Sequence, residues 1–110
     1  MPISSLLLGV TETVRNAAAT TATTSTTYAM PARLCNLAWQ YFFTTNPSAV
    51  TMVIQGSLDG TNWATLDSTT ITTGNLRVIT APAVNFVRVN LSAITAGALY
   101  SVLLTARDTQ

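Results

Sequence analysis

The sequence predicts an all-β protein, and three observations carry that prediction. Apolar residues recur at every second position, as at Cys35, Leu37, Trp39, Tyr41 and Phe43, with Asn36 and Gln40 between them. That period sets one face of an extended strand into a core. Turn residues such as Asn46-Pro47, Asp59-Gly60 and Pro82 separate these runs, roughly every 8 to 12 residues, the spacing of a sandwich or barrel. The third observation is that 21 of the 110 residues are Thr, a β-branched side chain suited to a pleated, half-buried surface. No run has helical periodicity. Residues 13–20 could close one helical turn but lack the periodic apolar positions to hold more.

The elements follow in order. Leu6, Leu8, Val10 and Val14 alternate, and residues 16–27, with the sequence NAAATTATTSTT, form a low-complexity link before Tyr28 and Met30. This segment reads either as an edge strand with a loop or as an extended arm that adds a strand to a neighbouring subunit's sheet. Its low charge lets it lie on protein without burying ions. The expected division is an arm or linker over 1–30 and a sandwich domain over 31–110. Within the domain, 35–43 is a long strand and 44–49 a turn. Val50, Met52, Ile54 and Leu58 then alternate with Thr51, Gln55 and Ser57 up to Asp59-Gly60. Residues 63–67 are the return strand, and 68–75 is a polar connection with a short strand around Ile71. Further strands are expected over 76–80, over 86–91 with Val87, Val89 and Leu91 on one face, and over 99–106 with Tyr100, Val102 and Leu104 against Ser101 and Thr105.

Composition narrows the function. A single domain of this length buries about two thirds of its unfolded surface. Apolar residues make up 48% of the chain and charged residues 8%, against about 25% charged in ordinary soluble domains. A Thr, Ser and Ala surface with so few charges has little protection against association. It is expected to be covered by copies of itself or by another protein. The five basic residues are all Arg, the side chain suited to bidentate pairing at interfaces. Arg33, Arg77 and Arg88 are the candidate interface cations, each a partner for a carboxylate. They form no basic run, which argues against nucleic acid. No stretch has the ~20 apolar residues that span a membrane, and the first ten residues read as neither signal peptide nor anchor. The protein is expected to be made in a cytoplasm.

Catalytic equipment is sparse. With no His there is no Ser-His-Asp or Cys-His arrangement and no His-containing zinc site. Cys35 lies in an alternating apolar run and reads as a small core residue. The acids are Glu12, Asp59, Asp67 and Asp108. Asp59 and Asp67 flank one hairpin, and Asp59 with Asn62 is a thin supply for a calcium ion, which takes six to eight oxygens. No enzyme activity, cofactor or metal is expected. Asp59, Gly60, Asn62 and Trp63 read as a structural turn instead. Gly60 supplies a positive φ, Asp59 accepts backbone N–H groups, and Trp63 packs under the turn or against a cross-strand neighbour.

The stretch VIQGSLDGTNWATL, with Ser57, Asp59, Gly60 and Trp63 after an apolar strand, is similar to the hairpin of discoidin-like and galactose-binding-like jelly rolls. The run NFVRVNLSA over 85–93 resembles the strand that follows there. The ordered set over residues 50–106 more closely resembles small structural proteins of tailed bacteriophages. The resemblance implies an antiparallel β-sandwich of jelly-roll type with an extended N-terminal arm. It also implies a virion component, with capsid decoration (cement) as the role. The partners so implied are a homotrimer of the chain itself and the major capsid protein, on the capsid surface. A neck or tail component is the near alternative. A glycan-binding jelly roll is the further one, with Trp39 or Tyr41 as its platform if the strand phase is reversed. The loop residues that bind sugar or calcium in discoidin-like domains have no clear counterparts here.

Overall fold

The computed structural model describes residues 3–31 and 35–108. Their ten strands are β1 (Ile3–Ser5), β2 (Thr11–Ala19), β3 (Thr23–Thr24), β4 (Thr27–Ala29), β5 (Cys35–Thr45), β6 (Ala49–Ser57), β7 (Ala64–Thr69), β8 (Asn75–Ile79), β9 (Phe86–Thr95) and β10 (Ala98–Asp108). They form two sheets. The first has the order β1-β4-β9-β6-β7, with β3 also on β9 beside β4, and the second is β2-β10-β5-β8. Pairing is antiparallel except between β1 and β4.

The apolar faces of the two sheets meet, because β5, β6, β9 and β10 each have a methyl- or ring-bearing face that the other sheet covers. Leu37, Trp39 and Tyr41 of β5, Met52 and Ile54 of β6, Val87, Val89 and Leu91 of β9, and Val102 and Leu104 of β10 are all buried. The alternation read from β5, β6 and β9 thus points inward as expected. Cys35 is buried in the same core.

Three expectations meet a different outcome. Residues 70–74 form a turn-containing crossover, so Ile71 is not in a strand. Leu58 is exposed, because β6 ends at Ser57 and the loop leaves the core phase. In β10 both Ser101 and Val102 are buried, and register shifts between Leu99 and Ser101 and between Val102 and Leu103 slip the phase. Bulges of this kind place two residues opposite one, so simple alternation cannot locate them; the side chain of Tyr100 lies outside the described atoms. Over residues 3–29, which read either as an edge strand with a loop or as an arm, the chain supplies β1, β3 and β4 to the first sheet and β2 to the second. Between β1 and β2 the chain crosses sheets, with Leu6 buried and donating its N–H to Ala29, and Gly9 donating to Ala106 at 2.8 Å.

Candidate functional site

The loop 58–63 between β6 and β7 is built around Asp59. Its Oδ1 accepts the backbone N–H groups of Thr61 and Asn62, each at 2.8 Å, and the Ser57 hydroxyl at 2.9 Å. Oδ2 accepts the Asn62 side-chain amide at 2.7 Å. The backbone N–H of Asn62, then that of Thr61, holds the carboxyl far below the usual carboxylate range. Gly60 has φ +78, in the region glycine tolerates. This is a six-residue loop rather than a tight two-residue hairpin. It folds back over the outer face of the first sheet, with Gly60 against the Phe86 ring and Asn85 donating to the Leu58 carbonyl. Asp59, Gly60 and Asn62 thus form the turn, and the oxygens of Asp59 are occupied by it.

Trp63 emerges from this loop beneath Arg88 of β9, whose guanidinium carbon lies 4.2 Å from the ring centroid. Arg88 Nε donates to Gln55 Oε1 of β6 at 2.8 Å. Among the described residues, no carboxylate meets Arg88. Gln55 was not singled out from the sequence, and its only signal is that it falls on the polar phase of β6.

Arg77 is engaged inside the chain. Its Nε and Nη2 donate to the two oxygens of Asp67 at 2.6 and 2.9 Å, and Trp39 Nε1 donates to Oδ2 at 3.3 Å. Hydrogen bonding to Arg77 holds the Asp67 carboxyl below its ordinary range, and Asp67 raises Arg77. Since β7 and β8 are edge strands of different sheets, this pair clasps one flank of the sandwich. Beside it, the Tyr41 hydroxyl donates to the Ile71 carbonyl at 2.9 Å and meets Thr69 Oγ1 at 3.2 Å, pinning the crossover. Arg33 lies outside the described residues. Trp39 and Tyr41 are buried and face the core, so the reversed phase that a glycan platform required is not present.

The outer face of the second sheet carries a surface that periodicity alone did not single out. Leu76 and Val78 of β8 point outward at 60% and 62% exposure, and Phe42 of β5 is 37% exposed. Register places Leu76, Gln40 and Leu103 in one row across β8, β5 and β10, and Val78, Ala38 and Thr105 in another. No described side chain in these rows is charged, and Arg107 stands at one end opposite Asn36. Arg77 turns toward Asp67 and so leaves Leu76 and Val78 outward, the reverse of the phase that a Leu-Arg-Val pattern suggests by itself.

No metal-binding cluster of His, Cys, Asp or Glu occurs among the described residues, and no helix there is long and apolar enough to cross a membrane. No protein-family model matches the chain, and no curated protein matches it either. The crystal structure of the SPBc2 prophage-derived protein YomS is similar in fold, with a TM-score of 0.67 at 10% identity over 88% of this chain and 91% of that one. A protein described with Bacillus endospore appendages, a novel family of disulfide-linked pili, reaches a TM-score of 0.44 at 15% identity over 90% of this chain and 85% of that one. The two-sheet fold is therefore one that a prophage-derived protein also adopts.

Proposed function

We propose that this chain is a structural protein of a tailed-bacteriophage virion, a capsid decoration (cement) protein that ties neighbouring major capsid subunits together, and that it is not an enzyme. The observation that carries this reading is the outer face of the second sheet, where Leu76, Val78 and Phe42 are exposed together and no described side chain in the rows of Leu76 and Val78 is charged. Single exposed apolar residues are ordinary, whereas large apolar side chains exposed side by side mark a contact surface. The strand orders β4-β9-β6-β7 and β2-β10-β5-β8, in which the chain changes sheet at every step from β4 onward except the β6–β7 hairpin, support a jelly-roll assignment. That architecture recurs in capsid proteins. The resemblance of residues 50–106 to phage structural proteins and the fold shared with a prophage-derived protein support the same class.

On this reading the partners are copies of the chain, as a trimer, and the major capsid protein, with no nucleic acid, membrane or cofactor. The place is the capsid surface, after synthesis in the host cytoplasm. Light scattering followed by co-sedimentation with expanded capsids tests it. The expected result is an oligomer that binds capsids saturably; a monomer at high concentration that leaves capsids untouched overturns it. Labelling of intact particles separates head from neck or tail, and tail-only labelling removes the decoration role.

A further inference from the structure

We propose that Arg88, seated on Trp63 and held by Gln55, is a pre-set anchor for one carboxylate of an acidic side chain on a different protein. The inference deepens the reading above, on which the chain functions bound to a partner. Three observations carry it. First, the cation is already positioned. The ring of Trp63 supports its face at 4.2 Å, and Gln55 Oε1 takes its Nε–H at 2.8 Å. A long side chain so fixed has less rotamer freedom to lose on binding than a solvated Arg.

Second, the remaining Nη1 and Nη2 edge has no hydrogen-bond partner among the described residues, and β9 turns it outward, since Val87 and Val89 face the core. Two parallel N–H groups on a planar fork match a carboxylate. Third, within one chain no described acid is placed to be the partner, and the two carboxylates of its own sheet flank, Asp59 and Asp67, are filled and so closed to a second copy as well. Asp59 is filled by its turn and Asp67 is taken by Arg77. Glu12 and Asp108 lie on β2 and β10 of the other sheet. A phosphate backbone is disfavoured because Arg77 is bound to Asp67, Arg107 lies on β10 of the other sheet, and no basic track surrounds Arg88 among the described residues.

Heteronuclear NMR of the arginine side-chain N–H groups in the full chain tests this without any capsid. Sodium acetate is titrated against sodium chloride at equal ionic strength, with acetamide as the neutral control and glucuronate as an acidic sugar. Arg107, exposed at the end of β10, is the internal reference. Arg88 is expected to bind acetate about five-fold more tightly than Arg107. Gln55→Ala and Trp63→Leu should each bring it down to the Arg107 level, and Arg88→Lys should abolish the preference while the protein stays folded by circular dichroism. A response of Arg88 no greater than that of Arg107, or an equal response to chloride, overturns the anchor. A preference of about ten-fold for glucuronate over acetate reassigns it to sugar and overturns the protein partner. A smaller oligomer for Arg88→Lys in isolation would place the carboxylate on a second copy and overturn the different-protein assignment. Failure of capsid binding alone would sink the decoration reading while leaving the NMR result to stand.

Discussion

The carboxylate of Asp67 receives two guanidinium N–H groups, an indole N–H and the backbone N–H of Ser68. Its folded-state pKa therefore lies below the unfolded value of about 3.9. A depressed acid stabilises the fold fully above the unfolded value and loses that contribution as pH falls through the folded one. Asp67→Asn should cost about 1–2 kcal/mol at neutral pH, a figure held down by the exposure of Arg77. It should also flatten the loss of stability below about pH 4 relative to the parent, read by urea unfolding across that range. Asp59 titrates in the same acid window, so part of the slope remains in the variant. A second prediction concerns Ala81 and Ala96, which hold φ of 45 and 56. An L-residue with a Cβ pays for that conformation, so Ala96→Gly should raise stability by up to about 1 kcal/mol in the same assay. The Asp59-Gly60 turn was legible in the sequence because its chemistry is local. The Asp67–Arg77 pair was not, since its partners lie ten residues apart on strands of different sheets, and nothing in one dimension says that those edges meet.

At the level of elements, β5, β6 and β9 could be read directly because each buries a single face without interruption. β10 could be read only in part. It lies between β2 and β5 and must match both, and its bulges absorb the mismatch by moving Ser101 and Val102 into the core together. The first thirty residues were obscure for another reason: Thr and Ala in short strands carry too little apolar contrast to show a period. Tyr41 joins β5 to the crossover, and its hydroxyl answers the otherwise solvent-competing Ile71 carbonyl and Thr69. Tyr41→Phe keeps the ring and its edge contact with Phe43 but takes the hydroxyl from the Ile71 carbonyl and from Thr69, whose Oγ1 retains the Ile71 N–H and the Asn75 amide. The expected loss is about 1–2 kcal/mol, measured by thermal or urea unfolding, with the dimensions of the native protein unchanged.

For the molecule as a whole, the two outer faces differ. One carries the Asp59 loop, Trp63 and Arg88; the other carries Leu76, Val78 and Phe42 without a charge among them. Replacing Leu76 and Val78 together by Lys removes no core contact, so folding stability should change by about 0.5 kcal/mol or less per site. Self-association should fall sharply, as read by sedimentation velocity over a range of concentrations. An oligomer indifferent to both charges would show that this face does not join copies of the chain.

The positions of β9 and β10 have a consequence for how the protein is born. Last of the ten in chain order, they are central strands, β9 between β4 and β6 and β10 between β2 and β5. While a ribosome is still adding residue 85, β3, β4 and β6 of the first sheet all wait for β9, and only the β6–β7 and short β1–β4 pairs can form there. The nascent polypeptide therefore holds Trp39, Met52 and Ile54 uncovered until synthesis is nearly done. Such non-local closure is slow, on the millisecond-to-second scale of β-sandwiches, and leaves sticky strands open to one another meanwhile. Yield in a host cell should consequently respond to chaperone supply and to the speed of translation more than to the stability of the finished fold.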